Sequence, residues 1–216
     1  METMKRFFPF VSTKALRSLG IATVVLIVLG SSSVARASDE TTVRWDITSL
    51  APKVGGGFNV SAGGISSALA NDGTEITVTG SGTFKIEDGE FENVTGGGDW
   101  TIGSASGTYK AKGVVLFIPA PGVPNPANTD LIGDASQASA GLLVLRIKYD
   151  DGSKGILVVS CHLVGTPDSV FEGITATKGF VDFWNREAPN GPPPAPFVNA
   201  NRNLFHIVPG EGGDDD

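Results

Sequence analysis

Cysteine and histidine are almost missing from this chain: one cysteine and two histidines stand among 216 residues. A single thiol excludes a disulfide framework and a cysteine-rich zinc site. The histidines, His162 and His206, form no HxH or HExxH pair, so neither a metal nor a cofactor is expected. Basic charge is also scarce, with 16 Lys+Arg against 23 Asp+Glu. That balance lacks the electrostatic footprint for a phosphate backbone, which argues against nucleic acid as a partner. Long amphipathic helices are absent too. The 29 glycines and 13 prolines point instead to strands and turns. Several motifs fail on spacing. Asp130, Asp134, Asp150 and Asp151 lack the alternation of a calcium loop. The glycine runs 55–57 and 96–98 do not join a strand to a helix as a phosphate cradle does. Ser160 has no Gly-x-Ser-x-Gly elbow around it. Asn59-Val60-Ser61 and Asn93-Val94-Thr95 match the glycosylation acceptor, a tripeptide common by chance.

The first 37 residues read as a secretory signal peptide. Lys5, Arg6, Lys14 and Arg17 supply the basic stretch, Leu19 to Leu29 an uncharged apolar run, and Ala35 and Ala37 the small residues before a cleavage at Ser38. The apolar run is short of the roughly 20 residues that span a bilayer. Cleavage leaves 11 cations and 22 anions, a net charge of −11. The mature protein is expected to be secreted or periplasmic, to stay soluble and to avoid anionic lipid, with no membrane contact after cleavage.

Strand signals fill the mature chain, and one domain over 38–209 is expected. Thr42 to Thr48 alternates Val43, Trp45 and Ile47 with polar residues. Asn71-Asp72-Gly73 marks a turn before Glu75 to Gly80. Gly82 to Glu87, the segment around Trp100 and Ile102, and Ser106 to Ile118 follow. The strongest signal is the hairpin Gly141 to Leu163 around Asp150-Asp151-Gly152-Ser153. Val170 to Thr177, Gly179 to Trp184 and Asn203 to Val208 complete the set, and only Asp130 to Ala140 could hold a helical turn. About eight short strands without a helix predict an all-β fold, and glycines inside strands favour a single antiparallel β-barrel over a sandwich. The central hairpin is apolar on both faces, so its outer face would suit another subunit. Pro119 to Ala140 reads as a packed Pro-rich lid loop, Asn190 to Pro196 as a polyproline strap, and Gly210 to Asp216 as a disordered acidic tail.

Three stretches, GTYKAKGVVLFIPAPG (Gly107 to Gly122), AGLLVLRIKYDDGSKGILVVSCHL (Ala140 to Leu163) and SVFEGITATKGFVDFWN (Ser169 to Asn185), resemble the allene oxide cyclase and dirigent barrel class. The resemblance implies an eight-stranded antiparallel barrel, often trimeric, whose apolar interior holds a reactive or oxylipin-like small molecule and steers a cyclisation or coupling without a cofactor. It brings no local motif from which to transfer catalytic residues.

The chemistry is therefore sought among the few polar residues: Tyr149, Ser160, Cys161, His162 and Glu172. Glu172 lies between apolar neighbours, where burial would raise its pKa and make it a proton donor or base; otherwise it is a strand-edge charge. His162 is an acid–base candidate or a structural histidine. Tyr149, Cys161, Leu145, Phe171 and Trp184 are the expected ligand contacts. Register leaves the inward face open. A two-residue Asp151-Gly152 turn pairs Gly141 with His162, whereas a three-residue loop ending at Gly152 pairs Gly141 with Cys161. Two functions fit: a secreted cofactor-free cyclase or isomerase acting on an apolar small molecule, or a non-catalytic ligand carrier or oligomeric envelope component. An enzyme would need an ionisable group facing an apolar cavity.

Overall fold

The structure, a computed structural model, describes residues 40–186 and 201–210. The expected signal peptide 1–37, the expected strap 190–196 and all of the expected acidic tail except Gly210 lie outside the described residues. Fifteen strands follow one another: β1 (Thr41–Pro52), β2 (Phe58–Ala62), β3 (Ser66–Leu69), β4 (Glu75–Val78), β5 (Ser81–Glu87), β6 (Glu90–Glu92), β7 (Gly97–Ile102), β8 (Ala105–Ala120), β9 (Thr129–Asp130), β10 (Ala138–Tyr149), β11 (Lys154–Cys161), β12 (Gly173–Lys178), β13 (Val181–Phe183), β14 (Asn185–Arg186) and β15 (Arg202–Pro209). A single 3-10 turn, Ala135–Gln137, falls inside the stretch expected to allow a helical turn. There is no α-helix among the described residues.

The expected barrel is present. Strand β7 pairs β8, β8 pairs β10, β10 pairs β15, β15 pairs β1, β1 pairs β5 and β5 returns to β7, all antiparallel. This ladder closes on itself, which removes the exposed edges an open sheet would have. Strands β11, β12 and β13 continue from β10, and β4 and β3 from β7. The strands outnumber the expected eight because short ones, β6, β9, β13 and β14 of two or three residues, pair beside the long ones, which also change partners. Along β1, for example, Thr41 to Asp46 pairs β5 whereas Thr48 to Pro52 pairs β2. Bending needs close backbone approach. A Cβ on Gly80, between β4 and β5, would overlap the Tyr109 hydroxyl and lie 3.1 Å from the Trp45 ring.

The β10–β11 hairpin takes the longer loop. Gly152 adopts φ 87°, Leu145 pairs Leu157 and Gly141 pairs Cys161. A type I turn with a left-handed glycine costs nothing sterically and sets the register of both strands. Leu143, Leu145, Ile147, Leu157, Val159 and Cys161 consequently face the core, and Leu142, Val144, Ile156 and Val158 face outward.

Large side chains from every wall fill the interior. Trp45, Phe84, Tyr109, Tyr149, Phe205 and Leu145 are all buried, and the Phe117 ring packs edge-on against Phe84 and Phe205 at 5.4 Å. Full burial of such a side chain is worth about 1.5–3 kcal/mol, so this cluster dominates the fold's stability. The second half of the 119–140 loop packs against β2 and β15. It lies along the outer wall. There β9 runs parallel to β2, the Leu131 amide donates to the Val60 carbonyl, and Asp130 reaches His206 of β15 at 2.8 Å.

Candidate functional site

The strand β12 begins at Gly173, so the strand expected over Val170 to Thr177 starts three residues later and leaves Glu172 outside it. Glu172 sits just before the strand, where the ends of β11, β12 and β15 converge. Its Oε2 accepts the His162 amide at 2.6 Å and its Oε1 the Asn203 amide at 2.8 Å. Asn203, on the inner side of β15, donates from Nδ2 to the carbonyls of Ser160 and Gly173 at 2.9 and 2.8 Å. The carboxylate and the amide side chain thus satisfy backbone groups left over where three strands separate. Desolvation pushes the Glu172 carboxyl up to about 8, against the amide donors and the positive charge of Arg202, which hold it down.

His162 stands at the same end. Its Nδ1 lies 2.8 Å from the Val170 carbonyl, which can only accept, so Nδ1 carries a proton and donates it. The imidazole does not enter the core. That inner position belongs to Cys161, fully buried, whose thiol is pushed up first by desolvation and then by the neighbouring Glu172 charge. A thiol in that setting is an apolar space-filler.

The other expected contacts are dispersed. Tyr149 is eight positions along β10 from Gly141, roughly 27 Å at about 3.4 Å per residue, and therefore at the opposite end of the barrel. Its hydroxyl donates to the Thr177 carbonyl at 2.8 Å, its ring packs edge-on against Trp100 at 5.9 Å, and burial raises its pKa strongly. Lys178 lies 4.4 Å over that ring and pairs with Asp151. Leu145 is core in the middle of the wall. Trp184 is 54% exposed beyond β13, and Phe171 is half-buried beside Glu172 in the chain. The expected ligand set therefore does not converge. What converges is Glu172, His162 and Cys161, joined by Asn203.

Sequence reasoning missed Asn203 and a second polar cluster. On the outer wall Arg44 grips Asp46 with two bonds, at 2.7 and 2.9 Å, and His206 donates from Nε2 to Asp130. Asp130 also accepts the Ile132 and Gly133 amides. All of Asp46, Asp130 and His206 are nearly out of solvent, because the 119–140 loop covers this wall. The signal available in the sequence was Asp46 and His206 standing inside otherwise apolar strands. A hollow of about 430 Å³ lined by Thr74, Glu75, Thr77, Thr101 and Gly103 contains none of these residues. Among the described residues no cluster of His, Cys, Asp and Glu has the makings of a metal site.

No known family model, curated protein or solved structure matches this chain.

Proposed function

We propose that the protein is an exported, non-catalytic barrel that works through its outer surface, a structural or binding component of the cell envelope. One observation carries this reading: the barrel axis is occupied by side chains of its own walls, Trp45, Tyr109, Tyr149, Phe84, Phe117 and Phe205 among them. Two further features support it. Both tyrosine hydroxyls are spent on backbone carbonyls, and both Glu172 oxygens on backbone amides, so these four polar atoms are already engaged. The leader-like 1–37 segment supports export.

A second reading, a cofactor-free isomerase or cyclase for an apolar small molecule, is favoured by the Glu172 carboxyl. A carboxyl pushed up to about 8 by burial has the proton affinity of a general acid or base. The resemblance to the allene oxide cyclase and dirigent class favours it as well, along with a trimeric assembly.

Titration with a graded series of apolar ligands, followed by tryptophan fluorescence, separates the two, because Trp45 and Trp100 are buried reporters. The surface-acting reading expects no saturable change. A one-to-one complex that Glu172→Gln weakens would overturn it in favour of the second reading.

A further inference from the structure

The outer face of the β8–β10–β11 sheet divides sharply by chemistry. Toward the Asp150–Gly152 turn, Lys110 pairs with Lys148 and Lys148 with Lys154, three exposed ammonium groups abreast on adjacent strands. Lys112, at a bulge of β8, and Arg146 stand beside them, both exposed. Five of the eleven cations after Ala37 are therefore gathered on one face of a strongly acidic protein. None of the five is in an ion pair among the described residues. The flanking strand β7 brings one exposed carboxylate, Asp99, and β13, beyond β12, another, Asp182, while Asp150 and Asp151 stand exposed at the turn itself. Like charges directly opposite one another destabilise a sheet, so this row costs the fold stability.

Toward the other end the same face is aliphatic. Leu116 pairs with Val144 and Val144 with Val158, while Ile118 pairs with Leu142. Val115, Leu116 and Ile118 are 46%, 38% and 51% exposed. The outer wall is thus a continuous surface, basic at one end and apolar at the other.

We infer that this face docks on an anionic lipid surface, with headgroup phosphates against Lys110, Lys148, Lys154, Lys112 and Arg146, and with Val115, Leu116 and Ile118 at the acyl boundary. A soluble polyanion would neutralise the lysines and leave the aliphatic rows in water. A bilayer takes both. The net charge of −11, from which avoidance of anionic lipid was expected, acts over the whole molecule and is screened within about 8 Å at physiological salt. The contact is made by the local patch, whose sign is opposite.

The inference names a partner for the surface-acting reading and rests on it for treating the outer wall as the working surface. Its test is co-sedimentation of the protein, recovered from a secreting host, with vesicles of phosphatidylcholine alone or of phosphatidylcholine mixed with phosphatidylglycerol. The protein is expected to sediment with the mixed vesicles at low salt, to be released at molar salt, and to ignore phosphatidylcholine alone. The triple variant Lys110→Gln, Lys148→Gln, Lys154→Gln should lose about a hundredfold in partitioning, since each lysine near an anionic surface contributes about a fivefold factor. Leu116→Ser with Ile118→Ser should weaken binding while leaving the salt dependence in place. Thermal melts of both variants establish that they fold. Failure to sediment with mixed vesicles, sedimentation unchanged in the folded triple variant, or a dimer that Leu116→Ser and Ile118→Ser dissociate without any lipid binding would each overturn the inference. If vesicles fail while the apolar ligand titration stays flat, only the docking falls; a saturable interior complex is what removes the surface-acting reading.

Discussion

Glu172 and His162 are joined through the backbone: the carboxylate accepts the His162 amide at 2.6 Å, while the imidazole turns to the Val170 carbonyl. The two residues nominated separately as acid–base candidates are therefore held together by strand-end hydrogen bonding, while the imidazole points its Nδ1 at Val170. This relationship changes what a conservative substitution does.

Glu172→Gln is not silent. A carboxylate offers acceptors to both the His162 and the Asn203 amides, whereas a carboxamide must turn its NH2 toward one of them. One buried donor is left unsatisfied, at a cost of about 1–3 kcal/mol. Chemical denaturation of the two proteins at one pH measures it.

The same carboxyl sets a pH dependence. Burial raises it from 4.5 to about 8, so the folded state holds this proton more tightly than the unfolded chain. Its contribution to stability is complete below the unfolded value and disappears as pH rises through the folded one. Melting temperature should fall between pH values of about 5 and 8 and level off above, and Glu172→Gln should flatten that slope. An unchanged slope in the variant would assign the effect elsewhere.

His206→Ala should loosen the 119–140 loop. The substitution empties the space of a buried imidazole and leaves Asp130, itself almost out of solvent, without its partner. A loss of about 2–4 kcal/mol is expected from the cavity and the lost donor to Asp130 Oδ2 together. Limited proteolysis should then cut first within 119–140.

Gly155→Ala should disrupt the hairpin that sets the register. A Cβ there overlaps the backbone carbonyl oxygen of Thr177 on β12 and meets the Tyr149 ring at 3.0 Å. The strands must separate to admit it, so a loss above about 2 kcal/mol is expected in a thermal melt.

Two predictions concern the ends of the chain. The exported protein should begin at Ser38, which intact-mass spectrometry reads directly. Truncation after Gly210 should change stability by no more than about 0.5 kcal/mol. Gly210 itself is better kept, because its amide donates to the Glu40 carbonyl.

Strand identity was written in the chain itself. Val43, Trp45 and Ile47 alternate with polar residues, and Asp-Asp-Gly calls for a turn with a left-handed glycine, so β1 and the β10–β11 hairpin follow from local periodicity and turn chemistry. Glu172 between apolar neighbours was likewise visible as a carboxyl whose proton would be held tightly. Other facts needed the closed sheet. Which of Cys161 and His162 enters the core turned on a single residue of loop length, a choice nearly balanced locally and decided by the packing of the whole inner face. That Tyr149 and Glu172 lie at opposite ends, that Asn203 meets Glu172 across 31 positions, and that three lysines from separate segments stand abreast are matters of pairing between distant stretches. No local pattern encodes them, because register between strands is fixed by the sum of core contacts around the barrel and not by any one of the segments it joins.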